Sequence, residues 1–222
     1  MTEPGSGRIG VGPWPGGPDA WPADPRFDPD LLRDGDSRNV VDAYRYWTVE
    51  AVRTDLATRA LPFHVAVENL GRDLNIGSVV RTANAFNAAA VHVVGRRRWN
   101  RRGAMVTDRY LDVRHHEDAA ALAAWARGEG LGVLGVDNVP GATPLETYDL
   151  PERVVLLFGE EGPGLTPQAL AVSDAVLAIT QFGSTRSLNV GAAAGIAVHA
   201  WVRRWVFGQR PGDTGAPQAA QA

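Results

Sequence analysis

Polar side chains suited to binding a phosphate or a hydroxyl group are concentrated in three loops of the sequence. The first loop, residues 68–77, contains Asn75 and runs into a helical stretch that presents Arg81 about one turn from its start. A helix N-terminus offers free amides to an anion, and an arginine adds a charge-assisted donor. Asn75 and Arg81 can therefore face one cleft. The alternative is that Asn75 is a cap or turn residue and Arg81 a solvated helix arginine.

The second loop, residues 158–165, has three glycines and a proline directly after an apolar stretch. Glycines allow a tight turn, or let a ligand approach bare backbone. Glu161 can bind ligand hydroxyl groups, or it can cap the helix that begins near Thr166. The loop is typical of many nucleotide-binding turns, but it is neither a P-loop nor the dinucleotide fingerprint.

The third loop, residues 180–190, leads into residues 191–195, where only glycine and alanine occur. A helix that begins with so few side chains lets another part of the chain pass very close to it. Ser187 and Asn189 stand at the start of this helix. They can either cap it or hold a substrate hydroxyl group.

Short apolar runs alternate with helical stretches after residue 62, which predicts a mostly parallel sheet flanked by helices, an α/β fold. The predicted strands are 63–67, 91–94, 131–136, 153–158 and 175–180, and the predicted helices are 77–87, 117–128, 166–172 and 188–206. Ligands of such sheets bind at the loops that follow the strands. The three polar loops all occupy that kind of position.

The ends of the chain have a different composition. The first 30 residues contain seven prolines and six glycines without a periodic apolar pattern. This predicts a flexible arm over residues 1–36, followed by an N-terminal helix within 37–61. The main domain is expected over 62–207, and a disordered tail over 208–222.

Composition excludes several kinds of chemistry. The sequence has no cysteine, which excludes disulfides, zinc-thiolate sites and thiolate nucleophiles, including those that methylate C5 of a pyrimidine. All 22 basic residues are arginine, which excludes a lysine base and a Schiff base. No apolar run approaches the roughly 18 residues that span a bilayer, and no signal peptide is recognisable, so we expect a soluble, cytoplasmic protein without membrane partners.

Positive charge is concentrated in one segment. The net charge is -3, yet residues 81–114 contain eight arginines and two aspartates, whereas residues 1–42 contain eight acids and four arginines. An arginine-rich segment can hold RNA through salt-sensitive phosphate contacts. The alternative is a solvated loop.

The order and spacing of the three loops resemble the three motifs of the SpoU/TrmH family of RNA methyltransferases, in the SPOUT superfamily, over residues 62–206. The matching positions are Asn75 and Arg81 in the first loop, Gly159, Glu161, Gly164 and Leu165 in the second, and 187–190 in the third. The resemblance implies an α/β fold with a deep C-terminal trefoil knot, and a homodimer. It also implies methyl transfer from S-adenosylmethionine to a ribose 2'-hydroxyl of RNA, with tRNA slightly favoured over rRNA.

The resemblance also assigns residues to roles. The cofactor pocket would be lined by Phe158, Gly159, Glu161, Gly164, Ile179 and Leu188. Arg81 would be the catalytic residue, either as the base or by orienting a substrate phosphate, while Asn75, Ser187 and Asn189 would hold the ribose and order the loops. RNA would be bound by Arg96, Arg97, Arg98, Arg101 and Arg102. No metal is expected, and the adjacent His115 and His116 are predicted to be surface residues.

The sequence departs from the family pattern at the third motif. Thr180 and Gln181 stand where the family usually has a proline and a methionine, and the change alters the edge of the adenine pocket. Residues 1–60 also do not form a familiar RNA-binding domain. Two other functions remain open: an RNA-binding protein that has lost catalysis, and a methyltransferase that modifies a base.

Overall fold

A parallel sheet forms the centre of the protein in a computed structural model that describes residues 10–70, 75–160 and 162–211. Its strands are β1 (Leu61–Asn69), β2 (Ala88–Gly95), β3 (Val113–His116), β4 (Gly132–Val136), β5 (Thr143–Pro144), β6 (Val154–Phe158) and β7 (Ala175–Ala178). Within the described residues these seven strands lie in the order β3-β2-β1-β6-β4-β7-β5. Neighbouring strands pair in parallel, which confirms the predicted α/β class. The trefoil knot remains an expectation from the resemblance.

Helices cover both faces of the sheet. The α-helices of the described residues are α1 (Pro29–Asp34), α2 (Val49–Thr58), α3 (Ile76–Ala85), α4 (Ala119–Gly128), α5 (Pro167–Val172) and α6 (Val190–Trp205). One apolar cluster joins α3 and α6 to one face of the sheet, and a second joins α4 and α5 to the other. Strand β6 is buried along its whole length, because its alternate side chains enter the two clusters. This is why the sequence shows it as a continuous apolar run.

The N-terminal residues correct one prediction. A flexible arm was expected over 1–36, but residues 10–36 contain α1 and an antiparallel bridge between Val11 and Asp36. The Asp36 carboxylate is fully buried and accepts hydrogen bonds from the Arg38 guanidinium and the Tyr46 amide. The ring of Trp14 packs edge-on against Tyr46, 5.3 Å between centroids. These contacts link residues far apart in the sequence, so local composition does not show them. Residues 1–9 lie outside the described residues.

The predicted N-terminal helix is shorter than expected. Within 37–61 the structure has a short 3₁₀ helix, Asp42–Tyr44, followed by α2. The side chains of Tyr44 and Val52 pack with Tyr110, which belongs to the 3₁₀ helix Thr107–Tyr110. The N-terminal unit therefore packs beside the arginine-rich segment. Of the predicted tail, 208–211 are described and 212–222 are not. Among the described residues, no helix is long and apolar enough to cross a membrane.

Candidate active site

A cavity of about 240 Å³ opens at the carboxyl ends of the central strands. Its walls come from the residues that follow β4, β6 and β7, together with the start of α6. Five of the six residues predicted to bind the cofactor line it: Phe158, Gly159, Gly164, Ile179 and Leu188. The sixth, Glu161, lies outside the described residues. We call this space the strand-end cavity.

The turn after β6 brings bare backbone to the cavity wall. The Gly164 amide donates to the Glu160 carbonyl at 3.0 Å and closes the turn. A Cβ atom added to Gly159 would lie 2.1 Å from the Gly164 carbonyl carbon, so no other residue fits at position 159 without moving the turn. The predicted glycine requirement is therefore explained by the close approach of two backbone segments.

An aspartate that was not singled out from the sequence fixes the same turn. Asp137 directly follows β4 and lines the cavity. Its Oδ2 accepts the Leu165 amide and its Oδ1 accepts the Asn138 amide, both at 2.7 Å. The available signal was its position, because an acid at the carboxyl end of a parallel strand lies where ligands bind.

The departure at Thr180 creates a contact that proline cannot make. The Thr180 amide and hydroxyl donate to the two carboxylate oxygens of Glu146, at 3.0 and 2.8 Å. Partial burial raises the pKa of Glu146, but hydrogen bonds from its own amide and from Thr180 outweigh burial and lower the pKa overall. Proline has no amide hydrogen and no hydroxyl group, so this attachment is specific to the residue present here.

The rest of the third loop is fixed at its far end. The side-chain amide of Asn138 donates to the Arg186 carbonyl at 3.1 Å. Ser187 is exposed and lines the cavity. Asn189 caps α6, because its Oδ1 accepts the amides of Gly191 and Ala192 at 2.9 and 3.4 Å. Asn189 therefore acts as the helix cap, one of its two predicted roles, whereas Ser187 faces the space where a ligand would bind.

The first motif lies beside the cavity, not in its wall. Asn75 is the N-cap residue of α3, although its side chain makes no capping hydrogen bond. Arg81 is exposed, and its guanidinium forms no ion pair within the described part of the chain. Neither residue lines the cavity. Helix α3 packs against α6, so Arg81 and the Asn189 cap belong to neighbouring helices.

The predicted RNA-binding arginines are exposed on one loop. This arginine loop, residues 96–104, follows β2 and ends in the 3₁₀ helix Arg101–Ala104. The loop packs tightly against α3, where a Cβ atom on Gly77 would lie 2.5 Å from the Ala104 amide nitrogen. Arg101 lies 3.4 Å from Asp108, a partly exposed ion pair. The arginine loop is therefore held against the helix that carries Arg81.

The last two residues of β1 and the residue after them connect the arginine loop to the cavity loops. The Asn69 side-chain amide donates to the carbonyls of Arg96 and Arg98, at 2.6 and 2.9 Å. Its neighbour Glu68 accepts from both the amide and the hydroxyl of Thr166, the cap of α5, at 2.9 and 2.7 Å. Leu70 donates its amide to the Glu160 carboxylate. Three consecutive residues thus hold loops of both regions.

One histidine differs from its predicted surface position. His115 is exposed, but His116 is half-buried, with its Nε2 2.8 Å from Nδ1 of His92. His92 is fully buried, and its Nε2 lies 3.0 Å from Nδ1 of His64. Trp125 packs against all three rings of this histidine chain. Hydrogen bonding between strands explains the burial, and the described residues contain no group of three or more acids or histidines able to hold a metal ion.

Burial lowers the pKa values of the three histidines in the histidine chain. Desolvation, helped by the positive charge of Arg114, lowers the pKa of His64 to about 4. Desolvation and the neighbouring imidazoles lower the pKa of His92 to about 2, and desolvation also lowers that of His116. The histidine chain is therefore uncharged at neutral pH.

Known proteins resemble this chain in both sequence and structure. The tRNA (guanosine(18)-2'-O)-methyltransferase of Escherichia coli (strain K12) is 27% identical over 147 residues, which cover 65% of this chain and 64% of that protein. The solved structure of an AdoMet-bound rRNA methyltransferase from Sinorhizobium meliloti is 25% identical, with a TM-score of 0.58 over 68% of this chain and 60% of that one. A structure that describes 2-OH methylation of C/U34 on tRNA is 28% identical, with a TM-score of 0.57 over 66% of this chain and 97% of that one.

The family is established by a match to a family model. The chain spans slightly less than two thirds of the length of the Escherichia coli relative. The sequence model of the SpoU rRNA Methylase family matches residues 62–199, more than half of the chain. This protein belongs to the SpoU rRNA methylase family.

Proposed function

We propose that this protein transfers a methyl group from S-adenosylmethionine to a ribose 2'-hydroxyl of RNA. The observation that carries the proposal is the strand-end cavity, because five residues predicted to bind the cofactor line it and the exposed Arg81 lies on an adjacent helix. The names of the Escherichia coli relative and of the C/U34 structure support ribose methylation and favour tRNA. A cytoplasmic location would suit such a substrate.

The lining of the cavity suits S-adenosylmethionine. Val136, Ile179 and Leu188 offer an apolar wall for a flat purine, and Asp137 offers a carboxylate for hydroxyl or ammonium groups. The buried Gln181 Oε1 atom, which has no hydrogen-bond partner, offers a further acceptor. When bound, the cofactor supplies an electrophilic methyl group and leaves as S-adenosylhomocysteine.

The residues of this chain would position the ribose for that transfer. Arg81 presents a forked guanidinium, which suits a phosphate next to the target nucleotide. Ser187 presents a hydroxyl at the cavity wall, where it can bind the ribose. The 2'-hydroxyl must lose its proton as the new O–CH₃ bond forms. Arginine keeps its proton at neutral pH, so we favour phosphate orientation over a role as base for Arg81.

Two features support the proposed partners. Arg96, Arg97, Arg98, Arg101 and Arg102 are exposed on the arginine loop and can contact several phosphates. Exposed apolar side chains, including Ile196, Trp205 and Phe207, lie on α6 and just after it, and a second copy of the chain would cover them in a homodimer. Sedimentation analysis of the purified protein tests the dimer directly.

Methylation of isolated RNA pools tests the activity. The purified protein is incubated with radiolabelled S-adenosylmethionine and, separately, with total tRNA and rRNA from a strain that lacks it, and the RNA is then digested to nucleosides. Label in a 2'-O-methylnucleoside supports the proposal and identifies the pool. Label in a methylated base would assign the base-modifying alternative. Cofactor binding without label in either pool would favour an RNA-binding protein that has lost catalysis.

A further inference from the structure

One residue that lines the strand-end cavity has a buried side-chain oxygen without a partner. The Oε1 atom of Gln181 is buried and accepts no hydrogen bond. Among the described residues, two other buried side-chain atoms also make no hydrogen bond, Arg45 Nε and Tyr110 Oη, and neither of those residues lines the cavity. A buried acceptor without a donor is rare in folded proteins, because nothing replaces the water it has lost. Its position suggests that a ligand supplies the donor.

The surrounding loop holds Gln181 in place. On one side, Thr180 is attached to Glu146 by two hydrogen bonds. On the other, the Arg186 carbonyl accepts from Asn138. The residue before Gln181 and the far end of the loop are thus attached without a ligand, which reduces the ordering needed on binding.

The chemistry of the lining selects the group that Gln181 would bind. Ile179 and Leu188 contribute apolar surface to the same cavity, which suits the faces of a purine. Charged donors such as an ammonium group are better matched by the carboxylate of Asp137. A neutral carboxamide oxygen among apolar residues suits a neutral amine at the edge of an aromatic ring.

We propose that Gln181 accepts a hydrogen bond from the exocyclic 6-amine of the cofactor's adenine. The proposal rests on the proposed function, since it requires S-adenosylmethionine to bind in this cavity. The methionine usual at this position in the family lacks a strong acceptor. Recognition of the amine by this side chain is therefore a property of this chain.

Binding of two ligands to four proteins tests the proposal without any measurement of activity. The ligands are S-adenosylhomocysteine and its 6-deamino analogue, in which a hydrogen atom replaces the amine. Calorimetry measures the Kd of each for the wild type, Gln181→Met and Gln181→Glu. Gln168→Met serves as the matched control, because Gln168 is an exposed residue of α5 outside the cavity.

We expect the wild type to bind the 6-deamino analogue about tenfold more weakly than S-adenosylhomocysteine, as loss of one buried hydrogen bond predicts. Gln181→Met should bind the two ligands within about twofold of each other. Gln181→Glu retains an acceptor and should keep the preference. Gln168→Met should behave as the wild type.

The outcomes separate this proposal from the proposed function. If the wild type and Gln181→Met show the same preference, Gln181 does not recognise the amine, although the cofactor still binds. If neither protein binds S-adenosylhomocysteine while circular dichroism shows both to be folded, the proposed cofactor and this proposal both fail. If only Gln181→Met fails to fold, the comparison between the wild type and Gln181→Glu still tests the proposal. Loss of the preference for S-adenosylhomocysteine over the 6-deamino analogue in Gln181→Glu would then count against it.

Discussion

The strand-end cavity and the arginine loop differ in how their side chains are held. Around the cavity, Asp137 and Glu146 accept backbone amides and fix the loops that form the walls. On the arginine loop, Asn69 fixes the backbone, but the arginine residues themselves are exposed. The cavity is therefore formed before its ligand arrives, whereas the arginine loop would be completed by the RNA that we propose it binds. Pre-formed pockets suit small molecules, and exposed arginines suit a phosphate backbone.

The largest effect is expected for Arg81→Ala, which should reduce methyl transfer but leave cofactor binding unchanged. Arg81→Ala should reduce methyl transfer at least about 100-fold, because a group that orients charge next to the reacting atoms is lost. Its Kd for S-adenosylhomocysteine should stay within about twofold of the wild type, since Arg81 does not line the cavity. Single-turnover labelling and calorimetry measure the two quantities.

Arg127→Ala is the matched control for Arg81, because Arg127 is an exposed arginine on α4, on the other face of the sheet. It should leave both quantities unchanged. A large loss of cofactor affinity in Arg81→Ala would contradict the separation of the two regions.

The second effect concerns the scaffold that both regions share. The lowered pKa values of His64 and His92 mean that the unfolded chain takes up more protons below pH 6.5, so stability falls as pH falls from about 6.5 towards their folded values. Each buried histidine should lower the free energy of unfolding at pH 5 by about 2 kcal/mol relative to pH 7.5. His92→Gln should remove about that amount from the pH-dependent change.

Urea unfolding at pH 7.5 and pH 5.0 measures this difference, and comparison between the two pH values cancels any general loss of stability in the variant. His199→Gln is the control, because His199 is exposed on α6. An unchanged pH dependence in His92→Gln would show that the histidine chain does not limit stability in acid.

A smaller effect is expected when the cavity wall is loosened. Asp137→Ala leaves the Leu165 amide without its acceptor, and S-adenosylhomocysteine should bind about tenfold more weakly. Affinity for RNA measured without cofactor should be unchanged. Asp19→Ala, at an exposed position in the N-terminal segment, is the control. Equal losses of affinity for cofactor and RNA would mean that the turn after β6 also supports RNA binding.

The smallest effect is expected at the arginine loop. Arg97→Ala should weaken RNA binding severalfold at low salt and reduce the slope of log affinity against log salt by about 1, as expected for one lost phosphate contact. Cofactor affinity should not change. Filter binding over a range of salt concentrations gives the slope. A slope equal to that of the wild type would show that Arg97 does not contact an RNA phosphate.

The sequence predicted the central fold because its signals are local. Strands β1, β2, β4, β6 and β7 and helices α3 to α6 appear as apolar runs or helical periodicity, with ends shifted by a few residues. The edge strand β3 was missed because its side chains are mostly exposed and polar. Strand β5 has only two residues and pairs on one side. Neither leaves an apolar pattern to detect.

The site was predictable where it depends on residue type and spacing. Phe158, Gly159, Gly164, Ile179 and Leu188 were predicted from the motif resemblance, and the structure brings them to one cavity. Contacts between distant residues were not predictable. Asp137 meets an amide 28 residues away, and Thr180 meets a carboxylate 34 residues away. No periodicity in one sequence records such pairs.

The attachments made by residues 68–70, at and just after the end of β1, have a thermodynamic consequence. Glu68 and Leu70 bond to loops around the cavity, while Asn69, between them, bonds to the arginine loop. A ligand that shifts the balance of conformations at one of these attachments must also bias the other. Linkage then requires that RNA changes cofactor affinity by the same factor as cofactor changes RNA affinity. The two sites would in that case not fill independently, and Asn69→Ala would make the two affinities independent.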